Sequence, residues 1–155
     1  MIILRTLLRA EDGSFVPVEE VGVAPPDPRW VEGAIELVVH EKVILDQSLW
    51  DYVPEMWAYI ARAADECDRT GYGSTYFPDQ PVLFELRKAD PHRTVVSVSA
   101  SGLPRRAAAA DSYDLFQALY HHGAEFFRRM SELAGISDDA AVERLRRAAA
   151  HARQP

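Results

Sequence analysis

The sequence predicts an α+β fold: an antiparallel sheet of about five to seven strands, covered on one face by two long amphipathic helices, plus a short C-terminal helix. Three observations carry this expectation. Residues 47–70 place Leu49, Val53, Met56, Ile60, Ala63, Ala64 and Cys67 on one helical stripe, which Gly71 closes. Residues 112–133 place Leu115, Leu119, His122, Phe126, Met130 and Leu133 on a second. The segments before and between them are short, alternate apolar and polar residues, and are separated by turn-forming residues.

The chain has 155 residues, a length that suits one α+β domain over 1–155. It divides into N-terminal strands (1–23), a Pro-rich connector (24–33), a core (34–135) and a C-terminal helix with its tail (136–155). The 48% apolar and 26% charged fractions exclude wholesale disorder. Apolar runs such as Ile35–Val39 and Ala107–Ala110 fall far short of the ~20 residues that a membrane helix needs. Met1-Ile2-Ile3-Leu4 runs straight into Arg5 without a basic leader, so no secretory signal is expected. The single Cys67 has no partner for an internal disulfide and sits on the apolar stripe, as a buried thiol does. These features point to the cytoplasm.

Along the chain, Ile2–Arg9 reads as an edge or terminal strand, and Glu11-Asp12-Gly13-Ser14 as a hairpin turn. Pro17 restricts Phe15–Val23 to an edge. Ala24-Pro25-Pro26-Asp27-Pro28 is a stiff connector, which Trp30 is expected to dock onto the body. Ile35, Leu37 and Val39 alternate inward, Glu41-Lys42 turns, and Val43-Ile44-Leu45 returns. Ser48 is placed as the N-cap of the first helix, with Asp51 in a capping-box relation. Pro54 is awkward at a sixth helical position, so residues 48–53 are read as a separate turn and the main helix as starting at Pro54. Trp50 and Trp57 line one margin of the helical stripe, Tyr52 and Tyr59 the other. Asp51, Glu55, Arg62, Asp65, Glu66 and Arg69 form the back.

Residues 71–81 hold two glycines, two prolines and three aromatics and are read as a loop that either packs on the core or faces a partner. Val82–Lys88 and the segment with Val96, Val98 and Ala100 make the clearest hairpin, turning at Asp90-Pro91-His92-Arg93. Leu103–Ala109 fits an edge strand or an early helix start. Asp111 or Ser112 caps the second helix and Gly135 ends it. Ser137-Asp138-Asp139 caps a third, with Val142, Leu145 and Ala149 inward.

No catalytic set and no metal site emerges, and no cofactor is expected. His121 and Glu125 lie one turn apart on a helix, but His40, His92 and His151 are scattered and supply no second cluster. Pro78 and Pro81 bracket Asp79 and Gln80 at fixed positions, without the facing carboxylate that a glycosidase-like pair needs. Gly71 and Gly73 lack the third glycine of a phosphate loop, and Ser97, Ser99 and Ser101 lack a nucleophile elbow. Arg105-Arg106, Arg128-Arg129 and Arg146-Arg147 are basic doublets flanked by acids, which reads as a solvated surface rather than a nucleic-acid site. Charge is unevenly placed: residues 1–104 carry nine Lys plus Arg against seventeen acids, and residues 105–155 carry eight Arg against seven acids. So acidic a body disfavours non-specific nucleic-acid binding and favours a basic partner.

The hairpin Ile35–Leu45, the runs Trp50-Asp51-Tyr52-Val53 and Trp57-Ala58-Tyr59-Ile60, and Tyr76-Phe77-Pro78-Asp79-Gln80-Pro81 before another hairpin form a characteristic succession. Over residues 34–100 it resembles small uncharacterised bacterial proteins of the polymorphic-toxin immunity type. That resemblance implies a cytoplasmic, non-enzymatic protein that binds and blocks a toxin, and the acidic balance adds the expectation that the blocked toxin or enzyme is basic. The acidic residues Asp51, Glu55, Asp65, Glu66 and Asp79 would face such a partner. Two other readings stand beside it. One is a small-molecule or enzymatic pocket between sheet and helices, lined by Trp57, Tyr59, Tyr76 and His122. The other is a homo-oligomeric accessory protein with aromatics at its subunit interface.

Overall fold

The computed structural model describes residues 1–152 and is α+β, with its strands in two antiparallel sheets rather than one. The first sheet holds β1 (Ile2–Arg9), β2 (Phe15–Pro17), β3 (Glu32–Val39), β4 (Lys42–Leu45) and β5 (Asp51–Tyr52), in the order β2-β1-β3-β4 with β5 also on β3. After α1 (Val53–Thr70), the second sheet is a meander of β6 (Tyr72–Tyr76), β7 (Val82–Asp90), β8 (Arg93–Ala100) and β9 (Leu103–Asp111). The chain ends in α2 (Ser112–Ala134) and α3 (Asp139–His151). A single sheet fails because α1 interrupts the strand succession, so each half of the chain pairs locally. The sheets meet where β4 lies against β8 and β9; Arg106 of β9 pairs there with Asp46 at 3.1 Å.

β1 is interior rather than an edge: it pairs with β2 on one side and along Ile2–Leu8 with β3 on the other. Leu4, Thr6 and Leu8 of this strand are buried. The turn between β3 and β4 falls at His40 and Glu41, one residue earlier than the sequence suggests. Both are left-handed (φ 48° and 69°), the geometry that a two-residue hairpin requires. β4 and β5 lie on the same side of β3 as one strand interrupted by a short 3₁₀ turn, Gln47–Leu49. Asp46, not Ser48, caps that turn by accepting from the Ser48 N–H.

α1 starts at Val53 with Pro54 in its first turn, where the missing N–H costs nothing. It ends on Gly71 (φ 90°), whose N–H donates to the Cys67 carbonyl at 2.8 Å. The segment 72–76 is strand, not loop. Gly73 explains how: a Cβ there would stand 1.9 Å from the Ala63 carbonyl oxygen, so glycine lets α1 press directly on β6. The ambiguous alanine run is also strand, with Ala108 and Ala110 turned inward. α2 is capped by Asp111, which accepts from the Asp114 N–H, and ends on left-handed Gly135. α3 packs on both α1 and α2, capped by Asp138.

The core is continuous across both sheets and all three helices. Trp57 lies at its centre, fully buried, with its indole N–H donating to the Thr6 hydroxyl at 3.0 Å. A Cβ on Gly123 of α2 would meet Leu145 of α3 at 2.6 Å and the Trp57 ring at 3.0 Å, so that glycine closes the three-helix junction. No helix among the described residues is long and apolar enough to cross a membrane.

Candidate functional site

The region with the most unusual chemistry is built around β5, where the interrupted strand, the start of α1 and the loop after β6 converge. Asp51 is the centre of it and is 97% buried, only 3% of its surface remaining accessible. Its Oδ1 accepts from the Tyr52 N–H at 2.7 Å, and its Oδ2 from the Asp79 and Gln80 N–H groups at 3.0 and 2.9 Å. Gln80 returns its side-chain amide to the Trp50 carbonyl. The loop is held at its base as well, where Phe77 is buried and donates its N–H to the Val82 carbonyl at 2.9 Å. This clasp holds the Pro78–Pro81 loop rigidly on β5 and leaves the Asp79 side chain exposed.

Around the clasp lie three aromatics that the connector and β5 bring together. Trp30 follows the Pro-rich segment but does not bury itself in the body; it is 59% exposed and its ring centre is 5.3 Å from that of Tyr52. Trp50 is covered by the Arg9 guanidinium, 4.4 Å above its ring, and Arg9 also bonds Glu32 at 2.9 Å. Glu32 is the cross-strand partner of Tyr52. Partial burial raises the Tyr52 hydroxyl pKa, and the charges of Asp79, Glu32, Asp51 and Glu55 push it further the same way.

Glu55, in the first turn of α1, is half-buried. Burial, and then the nearby Asp51 charge, hold its carboxyl pKa above the usual range. Its Oε2 is buried and has no hydrogen-bond partner. Asp79 and Glu55 enter no ion pair among the described residues.

The five acids expected to form one partner-facing surface therefore separate. Asp51 leaves it altogether: it precedes the helix on β5 and its carboxylate is consumed by backbone donors. Glu55 and Asp79 belong to the junction around Tyr52. Asp65 and Glu66 lie about 15 Å farther along α1. Asp65 is bonded by Arg69 at 3.2 Å and Arg147 at 3.5 Å, and Glu66 is exposed.

The four expected pocket residues are not brought together either. Trp57 is core, because the stripe is wide enough to take its whole ring inside. Tyr59 is half-buried beneath Arg62, whose guanidinium is 4.4 Å from its ring; Tyr76 is 62% exposed; His122 points to solvent beside the buried Gly123. Two shallow depressions lie elsewhere, one at Met1, Ile3 and the β3–β4 turn, the other between α2 and the start of α3.

No three His, Cys, Asp or Glu residues cluster to hold a metal among the described residues. Glu125 turns from His121 to Arg128. The basic doublets are largely engaged: Arg106 with Asp46, Arg128 with Glu125 and Glu132, Arg146 with Glu143, and Arg147 with Asp65. Trp30, expected to dock the connector, and Trp50, expected on the margin of the helical stripe, belong to this site instead, together with Glu32, which the sequence does not single out. The available signal was the lone tryptophan just after a stiff connector, which has reason to be there only if something meets it.

No family model matches the chain, and neither a curated protein nor a solved structure matches it.

Proposed function

We propose that this chain is a non-enzymatic protein-binding domain that blocks a basic partner, in the manner of an immunity-type inhibitor acting on a toxin. The observation that supports this reading most is the open aromatic junction at Trp30 and Tyr52, flanked by the carboxylates of Asp79 and Glu55, which no cation of the described residues neutralises. An exposed tryptophan on a half-buried tyrosine, beside acids without ion pairs, suits a basic protein surface, since aromatics supply contact area and charge supplies encounter rate. The acidic balance of residues 1–104 extends the same field over the molecule. Trp57 is wholly buried while Tyr76 and His122 are exposed, which favours the protein-binding reading over a pocket lined by all of them.

Coexpression with a candidate toxin encoded beside the gene tests the proposal. A host that the toxin arrests should grow when this protein is present. Continued killing in the presence of excess folded protein, or turnover of a metabolite by the purified protein alone, would overturn it.

A further inference from the structure

We infer that the Trp30–Tyr52 pair, with Asp79 and Glu55 beside it, is a subsite for one guanidinium group, supplied by an arginine side chain of the partner protein. This rests on the protein-binding reading above and specifies its chemistry. The chain itself shows the arrangement two residues before Tyr52, at Trp50. The Arg9 guanidinium lies over Trp50 at 4.4 Å while its Nη1 donates to Glu32 at 2.9 Å, so one aromatic face and one carboxylate share a guanidinium. The neighbouring aromatics, Trp30 and Tyr52, have acids of their own but no such cation among the described residues.

The charges facing Tyr52 bear this out. Glu32, Asp51, Glu55 and Asp79 all act on its hydroxyl, and Arg9, the cation on the adjoining Trp50, is already occupied by Glu32 and that ring. Arg29, next in sequence to Trp30, is held by Asp27 at 3.1 Å. Asp51 has its carboxylate filled by three backbone donors, whereas Asp79 and Glu55 enter no ion pair among the described residues. Asp79, whose side chain is exposed, is the carboxylate that a partner's guanidinium can reach, and Glu55, half-buried three residues after Tyr52, adds its charge from the first turn of α1.

A guanidinium fits this set better than an ammonium. It is planar, stacks on aromatic faces, sheds its hydration more readily and can fork to a carboxylate while stacked. The site is also preorganised, because the Asp51 clasp fixes the Asp79 loop before any partner arrives.

The test uses the full chain with two capped peptides, hexa-arginine and hexa-lysine, followed by the NMR shift of the Trp30 indole N–H. The arginine peptide should move that resonance and bind several-fold tighter than the lysine peptide. Trp30→Ala and Asp79→Asn should each weaken the arginine peptide about fivefold, a loss of the size expected for one exposed cation–π or charge contact. Trp30→Phe should keep most of the affinity, and Glu66→Lys, well along α1, should change it far less than Asp79→Asn. Trp30 is largely exposed, so its variants should melt with the wild type. Equal binding of both peptides, binding of neither, or indifference to Trp30→Ala would overturn the subsite. So would a Glu66→Lys loss as large as that of Asp79→Asn, because the peptides would then sense overall charge. Growth rescue in the coexpression assay is a separate readout, so the inhibitor reading can survive failure of the subsite.

Discussion

Trp57 is a fully buried residue that ties three elements together, since its indole N–H bonds the β1 hydroxyl of Thr6 and its ring closes against Gly123 of α2. Trp57→Ala removes a whole buried indole and leaves the Thr6 hydroxyl without its donor. Urea melts should show a loss of about 3–5 kcal/mol, the range for emptying a large aromatic site. A loss below about 1 kcal/mol would mean that the ring is not central. Cys67, fully buried with its thiol pKa pushed up by that burial, should react slowly with a thiol reagent in native buffer and rapidly in urea. Glu55 behaves in the opposite sense to a stabilising carboxylate. Its pKa in the fold stands above that in the unfolded chain, so its contribution is full below about pH 4.3 and is lost as pH rises through the folded value. At neutral pH the anion therefore weighs against the fold. Glu55→Gln, which keeps the shape and drops the charge, should melt higher than wild type at pH 7, and the gain should vanish below about pH 4. An equal gain at both pH values would assign the effect to something other than charge.

The helices were the most legible elements, because amphipathic stripes and caps are local signals. The start of α1 near Pro54, its end at Gly71 and the Gly135 stop of α2 all follow from backbone rules that do not depend on distant residues. The strands were less legible where tertiary contact decides. β6 looks like loop because Gly73 weakens strand propensity, yet that glycine is what admits the α1 backbone. β9 is alanine-rich, and only the pairing with β8 and the helix above make it strand. These two kinds of glycine contact differ in cost. At Gly73 the obstacle is main chain, which cannot swing aside, so Gly73→Ala should cost about 3 kcal/mol or more. At Gly123 the nearest atom is a Leu145 methyl, with the stiffer Trp57 ring slightly farther, so Gly123→Ala should cost about 1–2 kcal/mol. Gly22 has open space and an ordinary φ, and Gly22→Ala should fall within about 0.5 kcal/mol of wild type. Melts of the three variants check the ranking; a mild Gly73→Ala would show that α1 and β6 do not meet so closely.

Across the whole molecule, the acidic balance was readable from the sequence but its layout was not. Helical spacing put Asp51, Glu55, Asp65 and Glu66 on one face, whereas Asp51 lies before the helix and Asp65 is neutralised by arginines from α1 and from α3, eighty-two residues away. Sequence periodicity sees neighbours within an element; it does not see what another element brings to the same spot. The redistribution decides which charges can steer a partner. Reversing Asp65 would break its ion pairs, and reversing Glu55 would bury a cation, so both would confound association with stability. Asp79 and Glu66 are exposed and unpaired, and reversing them leaves the core untouched. Asp79→Lys with Glu66→Lys should therefore change stability by about 0.5 kcal/mol or less per site. Against a basic partner the same pair should slow association and flatten its dependence on ionic strength, because surface charge acts mainly on encounter. The dissociation rate should respond to Asp79→Lys alone, since only Asp79 stands beside the Trp30–Tyr52 junction. Stopped-flow association at low and high salt, with dissociation followed by competition, separates the two effects. An association rate indifferent to both reversals would show that this acidic surface does not guide the partner in.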